Sequence, residues 1–310
     1  VLDSSIVAQL VQGISLPFEY LAKPDKRLFI GHLLAALPLA FWVYKRSHQK
    51  GSFWRYIFAR KVWLSASAQI DYSVAIINGV IKTLMIGPWV FFGFAIAFEV
   101  SNGLLSSFGR PFGTPSTGLA IAAYTVVIIV VGDFASYALH FAMHKIPLLW
   151  SFHQTHHAAT SLNPVTQYRI HPVEMLLNTL RSIIVFGLVT GCFDYWTQQR
   201  IEPVTFLGVN VLRFGFLLWG SNLRHSHVKL RFWDGLEHLL ISPYQHQIHH
   251  SDQEQHQTRN LGAIFALWDR LFGTLLTSKE VEQIQFGLGE DHPTKTSLRH
   301  NLWPFGRPQN

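Results

Sequence analysis

LAIAAYTVVIIVVGDFASYALHFAMHKIPLLWSFHQTHH, residues 119–157, is the stretch that decides the reading of this chain. It opens as an apolar run from Leu119 to Met143, interrupted by Asp133, Ser136 and His140. That run is long enough to cross a hydrocarbon core, which takes about 17–25 residues. It ends in His140-x3-His144 and is followed at once by His153-x2-His156-His157. Helix positions i, i+3 and i+4 share a face, so each box can aim two or three imidazoles at one point. Further on, His246-x2-His249-His250 repeats the second spacing. Neutral imidazole ligates iron, zinc and copper, and eight histidines in such boxes are more than one ion needs and about right for two. The spacing predicts a two-metal centre at the end of a membrane helix.

Working outward, other apolar runs appear at Leu28 to Tyr44 and Val74 to Val100, with weaker ones at Met175 to Phe193 and Val204 to Trp219, which carry Arg181 and Arg213. Apolar residues make up 49% and charged residues 14% of the 310, a balance that disfavours an ordinary soluble domain. The predicted fold is all-α and polytopic, with about four to five membrane helices and a cytoplasmic helical cap. One integral-membrane domain is expected over 1–310: an N-terminal segment 1–27 without a signal-peptide pattern, three spans in 28–145, the histidine region 146–280 with a membrane hairpin at 172–222, and a polar tail 281–310 draped on the cap. An arginine within the membrane is costly, so the hairpin either spans or dips part-way. Residues 225–280 are expected to close over the metals, with Trp268, Asp269 and Arg270 packing or pairing inside the cap.

The formal charge of +7 is not a nucleic-acid signal here, because much of it falls in Lys45 to Lys61, between the first two runs. The positive-inside rule puts that segment in the cytoplasm, and its alternating basic and aromatic residues read as an interfacial helix or a simple basic loop. Counting spans from there delivers every histidine box to the cytoplasmic face. The single cysteine, Cys192, excludes an intrachain disulfide and any CxxC motif, and fits a reducing face.

Around the boxes, Asp133, Tyr137, His140 and His144 form one helical stripe. Asp133, directly or through Tyr137, is expected to support a ligand histidine from outside, as carboxylates commonly do. In Arg169-x-His171-Pro172-x-Glu174, His171 is a candidate ligand and Glu174 its orienting carboxylate. His225, in Arg224-His225-Ser226-His227, is a further ligand, with His227 weaker. His238 and His256 read as ordinary polar-face histidines, and His32, His48, His292 and His300 are isolated.

The order HxxxH, HxxHH, HxxHH in a chain of several spans resembles the fatty acid hydroxylase and sterol desaturase superfamily, and is close to its bacterial sterol desaturase-like members. Supporting segments are Asp133-Phe134-x2-Tyr137-x2-His140, Leu149-Trp150-x2-His153-x2-His156-His157, Arg169-x-His171-Pro172-x-Glu174, Ile241-Ser242-Pro243, and Leu267-Trp268-Asp269-Arg270-Leu271-Phe272-Gly273-Thr274; the likeness covers roughly 80–290. The resemblance implies a non-haem di-iron oxygenase that uses O2 and two electrons to oxidise a C–H bond of a lipid drawn from the bilayer. It implies two Fe ions, with zinc able to replace them on purification, and ligands His140, His144, His153, His156, His157, His225, His246, His249 and His250, with His171 as a possible tenth. The three residues inside the first box lean toward hydroxylation. The chain has no HPGG-type haem signature, so electrons come from a separate protein. Desaturation at the same metals stays open, as does ether or aldehyde cleavage. A membrane metal transporter, a bis-histidine haem carrier and an inactive lipid-binding relative are the readings from other classes.

Overall fold

The computed structural model describes residues 4–289 and 297–303; the expected positions of His292 and of parts of the tail lie outside them. The chain begins with α1 (Ser4–Glu19), α2 (Ile30–Arg46), and two short helices, α3 (Phe53–Ile57) and α4 (Arg60–Trp63). The basic segment therefore forms two short turns of helix and not one continuous interfacial helix. The Ser65 hydroxyl accepts from the Ala68 amide and caps α5 (Ala66–Ile81), which satisfies one orphan amide of the first turn.

From Ala66 the helix runs on to Phe108, a stretch of 43 residues. It passes through a π segment at Lys82–Ile86 and a 3-10 segment at Gly87–Phe91 before resuming as α6 (Phe92–Phe108). Pro88 explains the break, since it lacks an amide hydrogen and its ring crowds the carbonyl four residues back. α7 (Thr117–Lys145) follows, then α8 (Pro147–His157) and α9 (Pro172–Thr197). Pro147 and Pro172 stand in the first turns of their helices, where the missing amide hydrogen costs nothing.

Among the described residues, three helices are long and apolar enough to cross a membrane: Ala66–Phe108, Thr117–Lys145 and Pro172–Thr197. Their apolar side chains largely face outward; Phe91, Phe92 and Phe98 on the first are 74%, 60% and 62% exposed. Such a contiguous apolar exterior needs lipid as its solvent. The expected count of about four to five membrane helices is not confirmed. α2 has 17 residues. The expected return span 204–219 is a two-stranded hairpin, β1 (Thr205–Phe206) with β2 (Val209–Asn210), followed by the eight-residue α10 (Val211–Leu218). The hairpin docks on α7, where the Thr125 hydroxyl accepts from the Val204 amide and the Thr125 carbonyl accepts from the Asn210 side chain.

α9 packs along α6 at very short range. A Cβ on Gly187 would lie 2.6 Å from Ile96, and one on Gly191 would lie 2.6 Å from the Ala97 carbonyl. Two glycines four residues apart let the backbones approach, the arrangement by which helices associate where lipid competes for apolar contacts.

Beyond a 3-10 turn at Ser221–Arg224 lie short helices of the cap: α11 (Asp234–Glu237), α12 (Pro243–His249), α13 (Glu254–Gln257) and α14 (Leu267–Leu271). The Ile241-Ser242-Pro243 motif resolves into a capping box, Ser242 and Gln245 satisfying each other's amides at the start of α12, as such pairs do. Buried Glu237 accepts from the Ser242 hydroxyl and from the Ser278 amide and hydroxyl. α15 (Leu298–Leu302) returns to α8, where the Thr155 hydroxyl donates to the Asn301 carbonyl.

Candidate metal centre

All three boxes meet at one end of the helical bundle. α7 delivers His140 and His144 in its last two turns, α8 carries His153, His156 and His157, the turn after Arg224 brings His225, and α12 with its C-cap supplies His246, His249 and His250. These nine side chains fall into two groups. One contains His140, His144, His153, His157 and His249, and the other His156, His225, His246 and His250; within each group the ligand nitrogens lie within 4.8 Å of one another. The two H-x2-H-H boxes split in opposite senses. His153 and His157 face the first group and His156 the second, whereas His246 and His250 face the second and His249 the first. Helix geometry accounts for this, since residues i and i+4 are about 40° apart around the axis and i+3 stands about 60° to the other side.

Backbone carbonyls decide which ring nitrogen faces inward. A carbonyl only accepts, so the Nδ1–H of His140 donates to Leu261 (2.8 Å), that of His249 to Arg259 (2.9 Å) and that of His156 to Arg169 (3.3 Å). Each neutral ring then presents the bare lone pair of Nε2. The Nε2 atoms of His140 and His249 face each other at 3.1 Å, two acceptors with no proton to share. In the second group the Nε2 of His225 lies 3.2 Å from that of His156, 3.2 Å from that of His250 and 3.1 Å from that of His246, more neighbours than one ring nitrogen can bond. The buried Nε2 of His144 and both ring nitrogens of His157 have no hydrogen-bond partner. A cation at each convergence takes up the facing lone pairs, one per ring, and leaves the second nitrogen of His157 without a partner. Nitrogens bound to one ion at about 2.0–2.1 Å and at right angles to each other sit about 3 Å apart, so the residues present fit a pair of metal ions. Protons do not compete. Burial drives the His153 and His156 rings down to about 3, and burial with neighbouring histidines holds His157, His225, His246, His249 and His250 well below the usual range.

Glu174 lies beside His153, its Oε2 3.1 Å from Nδ1, with both side chains buried. The carboxylate thus lies against His153, without hydrogen-bond geometry between the two atoms, whereas the sequence reading set it beside His171. His171 stands outside both groups; its Nδ1 accepts from the Val173 amide as the cap of α9, and its Nε2 lies 3.2 Å from the Leu302 carbonyl. His227 is also outside, its Nε2 2.8 Å from the Tyr56 carbonyl. Asp133 meets no histidine. It accepts from the Ile264 and Phe265 amides and the Trp268 indole, and Tyr137 reaches the Thr274 hydroxyl at 3.1 Å. Both side chains pin the cap to α7.

Asp269 in turn accepts from the Leu261 and Gly262 amides and the Thr274 hydroxyl, and so shapes the loop whose Leu261 carbonyl orients His140. No signal in the sequence marks those carbonyls, because backbone atoms carry no residue identity. Glu174→Gln is expected to weaken metal binding by about 10–100-fold while the folded chain persists, measured by chelator competition; unchanged affinity would remove Glu174 from the support of His153.

Two openings flank the histidines. On the membrane side a cavity of about 340 Å³ is lined by His140, His153, His156, His225 and His246 together with Glu174, Arg27, Arg181 and Arg224. On the far side a polar recess of about 810 Å³ reaches His144 and Trp150 past Asp252, Glu254, Gln257 and Gln285.

With this geometry in place the comparisons are specific. A family model described as Fatty acid hydroxylase matches residues 125–274, from mid-α7 through every box. Residues 125–274, a little under half of the chain, are thus similar to the fatty acid hydroxylase family. An alkylglycerol monooxygenase of Xenopus tropicalis is 28% identical over 53% of this chain and 32% of its own length. A fatty acid hydroxylase of Lecanicillium sp is 29% identical over 54% of the chain and 46% of its length. The Delta(7)-sterol-C5(6)-desaturase of Nicotiana tabacum is 25% identical over 57% and 58% respectively. The chain thus matches a third to somewhat over half the length of these relatives, a monooxygenase, a hydroxylase and a desaturase. No solved structure gives a significant match to the chain.

Proposed function

We propose that the chain is a membrane-bound di-iron oxygenase that hydroxylates a C–H bond of a lipid. The observation that carries this reading is the double convergence of imidazole nitrogens, five and four, with inward lone pairs left unmatched. His140, His144, His153, His157 and His249 would hold one iron, and His156, His225, His246 and His250 the other. A pair of irons so held supplies O2 activation, the overall balance being R–H, O2, two electrons and two protons giving R–OH and water. The electrons come from a separate donor protein, for which the polar recess at His144 and Trp150 is the exposed approach.

The chain's own residues perform the rest. Leu261, Arg259 and Arg169 carbonyls hold the His140, His249 and His156 rings in one tautomer, and the Glu174 carboxylate lies against His153. The apolar exterior of α6, α7 and α9 keeps the molecule in the bilayer, and the cavity on that side gives a lipid access to the histidines. The basic segment 45–61 supports a cytoplasmic placement of the boxes. Desaturation remains the second reading, favoured by the tobacco sterol desaturase match, because both reactions begin by removing the same hydrogen.

The test is elemental analysis of the full chain purified with iron and without chelator, followed by product analysis on candidate lipids. Two irons per chain and a product with one added oxygen are expected, and His153→Ala is expected to lose both. No metal in the folded protein would overturn the reading, and a new double bond in place of oxygen would select desaturation.

A further inference from the structure

Four arginines border the membrane side of the metal centre. Arg27, Arg181 and Arg224 line the 340 Å³ cavity with the histidines. Arg27 and Arg181 also line an adjoining cavity of about 260 Å³, where Arg213 joins them. Arg224 is 2% exposed, and its Nε and Nη2 have no hydrogen-bond partner; Phe216 lies under its guanidinium at 5.6 Å. The buried Nε of Arg181 is likewise unpartnered, although its other nitrogens reach the Gly132 carbonyl and the Ser182 hydroxyl.

None of the four forms an ion pair among the described residues. The carboxylates lining these two cavities are Glu174 and Asp133; Glu174 lies against His153, Asp133 is bonded to the cap amides, and neither pairs with an arginine. Nine neutral imidazoles add no negative charge, and bound metal ions would add more positive charge. Cations in such a setting face a functional partner or pay a large penalty. Arg181 lies nine residues into α9, about 13 Å along its axis, and Arg224 is enclosed, so neither is free to reach solvent.

We infer that these arginines receive an oxyanion, the carboxylate or phosphate of an acidic amphiphile, and that the lipid acted on at the metal centre is anionic. The choice of an amphiphile rests on the lipid-oxidising reading above; the need for an anion rests on the arginines alone. A third cavity, of about 550 Å³, gives the acyl chain its place. It is lined by Ile86, Val90, Phe94, Met175, Ile183 and Phe186, and it shares Arg181 with both of the others. Guanidinium binds oxyanions by paired, charge-assisted hydrogen bonds, so a neutral alcohol of equal chain length is a poor substitute.

The experiment measures binding of oleate, oleoyl lysophosphatidate and oleyl alcohol to the metal-loaded full chain in neutral detergent, by competition with a fluorescent fatty acid. At least one acidic lipid is expected to bind about tenfold or more tightly than the alcohol, the worth of one charged hydrogen bond. Whichever acid is preferred identifies the headgroup. Arg213→Gln and Arg27→Gln are each expected to cut that preference about tenfold with metal content unchanged.

Equal binding of acid and alcohol would overturn the inference, as would a preference that survives both substitutions. Inorganic phosphate displacing the probe as well as the lipids do would show a free-anion site and overturn the lipid assignment. Metal is assayed on the same preparations. A chain that holds no metal yet prefers acidic lipids would sink the oxygenase reading and leave the anion site standing.

Discussion

Leucine in place of His250 is expected to take the metal content from two ions per chain to one and to lower turnover by more than about 100-fold, beyond the loss typical of an outer partner. The reason is the uneven division of ligands. His250 belongs to the four-histidine group, and its Nε2 lies 3.2 Å from those of both His225 and His246, so its removal leaves three imidazoles. The residue is 1% exposed, and leucine fills its space without admitting a water to replace the lost nitrogen. The matching change at the other centre, His144→Leu, leaves four imidazoles and is expected to keep a larger share of its metal. Elemental analysis of both variants beside the parent checks the pair. Two ions retained in His250→Leu would dissolve the division into five and four.

That division was only half legible in the sequence. The boxes name the histidines because HxxxH and HxxHH are helical spacings, and His225 was flagged by its position after the last apolar run. Which ring serves which ion depends on how α8 and α12 are rotated against each other, and no local spacing records a rotation between distant segments. The carboxylates illustrate the same limit. Asp133 shares a stripe with His140, but seven residues are about 10 Å along a helix axis, beyond the reach of its short side chain, so it serves the cap instead. Glu174 does sit at a ring, yet that ring is His153, 21 residues earlier on another helix.

The count of four to five spans is not confirmed for a related reason. Hydropathy registers the apolar character of 204–219 without registering the Leu207-Gly208 turn, where both residues have positive φ, 49° and 75°, and which folds the segment back as a hairpin. Asp71 went unread altogether. It lies just ahead of the apolar run that begins at Val74, and its partners are about ninety residues away.

Alanine at Asp71 is expected to destabilise the protein by about 3–5 kcal/mol, the cost of stranding a buried cation, although it touches no metal ligand. Asp71 and Arg169 are each 0% exposed and form an ion pair at 3.3 Å. The carboxylate also accepts from the Asn163 side chain (3.0 Å) and the Thr166 hydroxyl (2.6 Å). The guanidinium donates further to the Thr155, Ser67 and Ala158 carbonyls and to Asn301. One buried cation thus ties α5, α8 and α15 together, and its own carbonyl orients His156. Arg169→Met strands Asp71 instead and is expected to cost a similar amount. The double variant, with neither charge left, is expected to unfold at a higher temperature than either single one, because replacing both members of a buried pair avoids the unpaired charge. Thermal midpoints of the four proteins in one detergent complete the cycle. Strictly additive losses would mean that the two residues act independently. A loss in the double variant smaller than the sum of the two single losses would mark the ion pair as the strut through which a membrane helix holds a metal-facing histidine in place.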